Sequence, residues 1–253
     1  IMPGPKGPVA IRLDQPSEVE GRPVVVFFHG SGFCICSIDP HDGFCRQRCL
    51  RSGMIVVSVD YGLAPENPFP RGVEDSFAAT SWVFENATDF GGDPSRIAVA
   101  GDSAGGTMSL VTSIRLRDAG ADVPSVQLLM YPVTDHYSAG FRSYSERGKG
   151  NGLTSAAMKM FWDYYVPPSD APLDAHAAPL RVSDLSGLPE TMIITAEFDP
   201  LRDEGWALAE RLKATGVKVT SEHFDDMNHG FMNWVGLIDR SDEVLERACL
   251  WLR

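Results

Sequence analysis

The residues best suited to chemistry sit in Gly101-Asp102-Ser103-Ala104-Gly105-Gly106, between an apolar run at 97–100 and a helix-like stretch at 105–119. A Gly-x-Ser-x-Gly sequence between strand and helix makes a tight elbow, whose small neighbours let the chain turn sharply and hold the serine oxygen outward. The positive end of the following helix would face the same point, so both effects favour an oxyanion beside Ser103. By itself the pentapeptide also fits a glycine-rich turn with an incidental serine. The strand before it and the helix after it favour the elbow.

A serine hydroxyl is a weak nucleophile, so this chemistry requires a histidine base and a carboxylate to orient that base. Of six histidines, His229 stands out in Asn228-His229-Gly230-Phe231, just beyond a candidate strand at 217–223. Asp199 follows the candidate strand at 192–196, in Glu197-Phe198-Asp199-Pro200. The order Ser103, Asp199, His229 is the serine, acid, base order of the α/β-hydrolase fold. The competing readings are a solvated loop histidine for His229, and a helix N-cap or turn residue for Asp199. Asp203, Asp225 and Asp226 are rival acids, but only Asp199 closes a predicted strand.

The elements that must position these groups follow from hydropathy. Short runs rich in Val, Ile and Phe at 24–28, 54–59, 97–100, 126–131, 192–196 and 217–223 alternate with helix-like stretches at 42–51, 73–86, 105–119, 155–165, 204–215 and 242–252. That alternation predicts an α/β fold, a mostly parallel central sheet flanked by helices. Pro65, Pro68 and Pro70 make residues 61–72 an extended loop. Residues 136–190 are expected to form a small insertion over the C-terminal sheet end, within a single catalytic domain spanning 1–253. After the strand at 24–28 comes His29-Gly30-Ser31-Gly32-Phe33, whose small residues let backbone N–H groups approach a substrate oxygen. An ordinary glycine turn is the bland alternative.

Together these motifs resemble the bacterial esterases of the hormone-sensitive lipase family of α/β hydrolases, over nearly the whole chain. The matching pieces are the His29–Phe33 loop against His-Gly-Gly-Gly, Tyr61-Gly62-Leu63-Ala64-Pro65-Glu66, the Ser103 elbow, Asp199-Pro200-Leu201-Arg202-Asp203-Glu204, and His229-Gly230-Phe231. The resemblance implies Ser103 as nucleophile, His229 as base and Asp199 as orienting acid. It places oxyanion N–H donors at Ser31, Gly32 and Ala104, and gives His29 a bracing role. It further implies hydrolysis of carboxylic esters with short or medium acyl chains, no cofactor or metal, and a homodimer. Three departures are expected to matter. Ser31 replaces the middle glycine and would be strained at a positive φ. Gly62 replaces an arginine, with loss of an ion pair. The usual N-terminal helical cap is missing before Pro3, so an open site that binds long acyl chains weakly is expected.

Composition narrows the partner. The 253 residues carry 22 basic and 34 acidic side chains, a net charge of −12, which disfavours phosphate backbones and anionic membranes and suits a small uncharged ester. At 43% hydrophobic and 22% charged, the chain is globular rather than disordered. No apolar run reaches the roughly 18–20 residues of a membrane span. The chain begins at Ile1, so an upstream signal is not judged. Cys34, Cys36, Cys45 and Cys49 are spaced unlike the paired knuckles of structural zinc and are read as free thiols in a reducing cytoplasm. The aromatic run at 161–165 is the candidate wall of an acyl or alcohol pocket.

The resulting expectation is a carboxylesterase working through an acyl-enzyme. The base must be neutral, so activity is expected to fall on acidification. A serine peptidase or amidase on the same fold is the second reading, and a hydrolase-like ligand receptor without turnover the third.

Overall fold

Buried β-branched and aromatic residues build the centre of the computed structural model, which describes residues 1–17, 20–167, 169 and 171–253. Seven strands form one sheet: β1 (Ala10–Asp14), β2 (Arg22–Phe28), β3 (Ile55–Asp60), β4 (Gly92–Asp102), β5 (Val126–Met130), β6 (Glu190–Phe198) and β7 (Val219–Asn228), in the order β1-β3-β2-β4-β5-β6-β7. All neighbours are parallel except β1, which pairs antiparallel with β3. Val24, Val25, Val26, Phe27 and Phe28 of β2 are all fully buried, as expected for a strand covered on both faces.

The longer helices are α1 (Asp42–Ser52), α2 (Arg71–Asn86), α3 (Ala104–Asp118), α5 (Ser155–Tyr165), α6 (Arg202–Ala214) and α7 (Asp239–Trp251), with a single turn α4 (Ser143–Glu146) before α5. Each predicted strand and helix is present, with ends displaced by a few residues. The antiparallel edge strand β1 is additional, because five half-exposed residues give no continuous apolar run. β7 also runs further than predicted, ending at Asn228 immediately before His229. Between β5 and β6, residues 136–190 hold α4, α5 and the short turn Pro179–Arg181, while Pro168 and Asp170 of this Pro-rich stretch lie outside the described residues. No helix among the described residues is long and apolar enough to cross a membrane.

The topology locates the site. From β2 the chain moves to β3 on one side, and β4 returns on the other, so the loops leaving β2 and β4 part in opposite directions. Ligands of open α/β sheets bind in the crevice this creates at the carboxyl ends of the strands. The two loops are His29–Phe33 and the Ser103 elbow.

One core residue departs from the rest. Arg48 on α1 is fully buried, its guanidinium 5.2 Å from the centre of the Phe27 ring and 4.8 Å from that of Phe44. Its Nη2 donates to Met130 Sδ at 3.6 Å, whereas Nε and Nη1 find no hydrogen-bond acceptor. Among the described residues no carboxylate pairs with it. Burial accordingly pulls its pKa down. The two rings return about 2 kcal/mol, less than the several kcal/mol that a buried ion forfeits. Arg48→Met, which keeps the volume and drops the charge, is expected to raise unfolding stability by about 1–4 kcal/mol. Urea denaturation checks this, and an unchanged or lower midpoint would contradict it.

Candidate active site

The elbow is shaped by three glycines that admit no side chain. A Cβ at Gly101 would lie 2.2 Å from the Gly105 carbonyl oxygen, one at Gly105 would lie 1.9 Å from that of Phe28, and one at Gly106 would lie 2.8 Å from Pro132 Cβ. With its neighbours packed this closely, Ser103 adopts φ 54° and ψ −120°, a conformation that costs a side-chain-bearing residue about 1–3 kcal/mol. The hydrogen bond from Ser103 N–H to Met130 O, 2.8 Å, ties the turn to β5. Helix α3 begins at the next residue, so its free N–H groups and positive end adjoin the hydroxyl.

His229 and Asp199 reach this point from separate loops. His229 Nε2 is 3.0 Å from Ser103 Oγ, and His229 Nδ1 is 2.7 Å from Asp199 Oδ2. Asp199 is completely buried, and its Oδ1 accepts the N–H of Leu201 at 2.8 Å, which fixes the carboxylate. A carboxylate only accepts, so Nδ1 carries the proton and Nε2 is left to accept from Ser103. Tyr131, itself at φ 38°, sets its buried ring edge-on to the imidazole at 4.8 Å between centroids. The rival acids lie elsewhere in the bonding pattern. Asp203 accepts from Ser143 N–H and Arg202, Asp226 pairs with Arg240, and Asp225 is exposed.

The second loop faces the elbow. Gly30 donates its N–H to Asp102 Oδ1 at 2.6 Å, and a Cβ at Gly30 would come within 2.3 Å of Asp102 Oδ2. Gly32 has φ 54°, and its would-be Cβ lies 2.5 Å from the Phe161 ring. Positive φ therefore falls on Gly32 and on Phe33 (66°), not on Ser31, so the strain expected at Ser31 is absent. The N–H groups of Ser31, Gly32 and Ala104 make no hydrogen bond within the described residues. His29 lies behind the loop with its ring stacked on Tyr61 at 4.7 Å.

Asp102 is the residue that sequence reasoning passed over. It is buried, with His41 Nε2 3.6 Å from Oδ1. Burial opposes its charge, but His41, the Gly30 N–H and His29 outweigh it and hold the carboxyl below its ordinary pKa. For His41, burial lowers the pKa, but Asp102 and the Ser37 backbone together raise it above its ordinary value. The signal was its place inside the elbow motif, where an acidic residue next to Ser103 needs a partner.

A cavity of about 340 Å³ opens over these groups. Ser103, His229, Ser31 and Gly32 are among its polar lining, and Leu153, Met158 and Phe161 among its apolar lining. Of the aromatic run at 161–165, only Phe161 lines it. Trp162 and Tyr165 are buried against Phe33, with Tyr165 stacked on it at 3.9 Å, and Tyr164 faces solvent. The same packing roots α5 against the loop. Cys36 borders the cavity and Cys34 is half-buried, whereas Cys45 and Cys49 lie buried on α1; all five cysteines are unpaired. Beside Gly62, Arg71 Nε donates to Asp75 Oδ2 at 2.7 Å and Gly62 N–H to the same oxygen at 3.0 Å. Arg71 Cγ lies 2.7 Å from where a Gly62 Cβ would stand, so the space beside Gly62 is filled by the Arg71 side chain.

A family model for the alpha/beta hydrolase fold matches residues 25–233. The chain belongs to this family. It is 42% identical over 238 residues to the carboxylic ester hydrolase LipN of Mycobacterium tuberculosis, across 92% of this chain and 63% of LipN. With the esterase LipI of the same organism it shares 40% identity over 99% of this chain and 79% of LipI. The chain thus spans between about three fifths and four fifths of the length of these relatives. A solved esterase of Pyrobaculum calidifontis superposes with a TM-score of 0.95 at 39% identity, over 99% of this chain and 82% of that one. The resemblance to hormone-sensitive lipase family esterases is borne out, as is the α/β-hydrolase fold. The relatives named for a reaction hydrolyse carboxylic esters, which favours that reading over amide hydrolysis or ligand reception.

Proposed function

We propose that this chain hydrolyses small uncharged carboxylic esters of short to medium acyl chain length, with Ser103 as nucleophile, His229 as base and Asp199 as orienting acid. The observation that carries the reading is the unbroken line of two hydrogen bonds, 3.0 and 2.7 Å, from Ser103 through His229 to Asp199, with Ser103 and His229 lining the cavity. As Ser103 Oγ attacks the ester carbonyl, His229 Nε2 takes its proton and Asp199 stabilises the imidazolium. The carbonyl oxygen, now an oxyanion, accepts from the free N–H groups of Ser31, Gly32 and Ala104. His229 returns the proton to the departing alkoxide, leaving an acyl-serine. Water, deprotonated by the same nitrogen, attacks that ester, the acid leaves, and Ser103 regains its proton.

The cavity volume lies at the small end of the range for ligand sites, and Phe161 and Met158 are among the apolar side chains that line it. This supports short chains over long ones. The chemistry of the site requires no metal or cofactor. Cytoplasmic residence, a homodimer and a single catalytic domain over 1–253 with 136–190 as insertion belong to the same proposal, supported by the free thiols, the family resemblance and the single sheet.

A p-nitrophenyl ester series tests it. kcat/KM is expected to peak between two and eight acyl carbons, as an order-of-magnitude match to a cavity near the roughly 300 Å³ lower bound of ligand pockets. The matched anilide should be slower than the ester. A maximum at palmitate, or a faster anilide, would overturn the substrate class.

A further inference from the structure

Ser31 is the position at which the loop departs from glycine, and its hydroxyl is fully engaged. Phe33 N–H donates to Ser31 Oγ at 2.9 Å, and Oγ lies 2.8 Å from the phenolic oxygen of Tyr61. Tyr61 in turn donates to the carbonyl oxygen of His29 at 2.7 Å. That carbonyl has no proton to give, so the single phenolic proton is committed to it. The hydrogen bond between the two hydroxyls therefore runs from Ser31 to Tyr61, and each donor and acceptor in the line has one role. Three alternate residues of the loop, 29, 31 and 33, are bound through one hydroxyl pair to a ring buried beneath them. Between these ties, the Gly30 N–H is held by Asp102 at 2.6 Å. The N–H groups of Ser31 and Gly32 are the ones left over.

We propose that the Ser31 hydroxyl and the Tyr61 phenol are positioning residues, which lock the loop so that the Ser31 and Gly32 N–H groups meet the oxyanion as it forms. Neither hydroxyl touches the reacting atoms. Their effect is on geometry in the transition state, where misplacement of donors by a fraction of an ångström is costly. The inference rests on the proposed ester hydrolysis at Ser103. It also explains how serine is accommodated here: at a negative φ the residue is unstrained, and its side chain adds two hydrogen bonds that glycine lacks.

The test is a double-mutant cycle on a short-chain p-nitrophenyl ester. Ser31→Ala and Tyr61→Phe should each lower kcat about tenfold with KM within about twofold, the split expected when only the transition state loses a contact. Acting through one another, the two losses should not multiply, and the double variant should be no slower than Tyr61→Phe. Ser31→Thr keeps the hydroxyl and should restore kcat to within about threefold of the parent. Wild-type kcat in Ser31→Ala, a loss confined to KM, losses that multiply, or a Ser31→Thr variant as slow as Ser31→Ala would each overturn the proposal. Should Tyr61→Phe not fold, the Ala and Thr variants of Ser31 decide the matter between them. Ser103→Ala run alongside separates the two readings. Its activity reports on the ester hydrolase assignment, whatever Ser31 does.

Discussion

Ser103→Ala is expected to lower kcat for ester hydrolysis on the order of a millionfold, with the fold and substrate binding intact. The magnitude follows from the way the group works as a unit. Without Oγ, the proton path through His229 has no start, and only the oxyanion donors and the bound geometry remain to assist water. Stability should change little, because alanine and serine are equally strained at φ 54° and, among the described residues, Oγ hydrogen-bonds only to His229. The measurements are single-turnover hydrolysis of p-nitrophenyl butyrate, a thermal melt, and product inhibition as a sign of retained binding. A variant with more than a hundredth of the parent rate would move the nucleophile elsewhere.

Asp199→Asn should reduce kcat about 10⁴-fold, more than its nearly unchanged shape suggests. The carboxylate Oδ2 accepts the His229 Nδ1 proton at 2.7 Å, in a position with no access to water. An amide group can turn its NH₂ to Nδ1, and the imidazole then carries its proton on Nε2. That nitrogen now faces Ser103 Oγ as a donor and has no lone pair with which to take the proton. KM should stay within a few-fold, because no part of Asp199 lines the cavity. Asp203→Asn and Asp226→Asn, whose carboxylates are engaged with Arg202 and Arg240, should retain kcat within about threefold. An Asp203→Asn loss as large as that of Asp199→Asn would reassign the acid.

Both variants probe residues that residue type and chain order alone are enough to name, and the reason is local. The sequence Gly-x-Ser-x-Gly-Gly has three positions where a Cβ would strike Gly105 O, Phe28 O or Pro132, around one serine at positive φ. Only the first clash lies within the turn and the other two are with distant segments, but all three are met by residue type, glycine, which leaves a readable mark. The alternation of buried strands with helices is legible for the same reason, and it places the loops after β2, β4, β6 and β7 at one end of the sheet. The short edge strand β1 left no such mark, since none of its five residues is fully buried and it has no apolar run to signal it.

Tertiary packing selects which side chains meet across long stretches of chain. Asp102 is adjacent to Ser103 in sequence, yet it accepts the Gly30 N–H of another loop. Five consecutive aromatic-rich residues on α5 look alike in sequence, and only helix rotation against the core sends Trp162 and Tyr165 to Phe33 and leaves Phe161 at the cavity. Arg71 packs over Gly62, where a Cβ would strike it, and pairs with Asp75, a placement set by the start of α2 against the loop. The chemistry, the fold class and the three residues of the proposed relay were legible in the amino-acid sequence, because they rest on residue type and order. The hydrogen bonds that tie the loop at 29–33 to Asp102 and Tyr61 were not, because a hydrogen bond between distant residues exists only once packing has fixed where each side chain points.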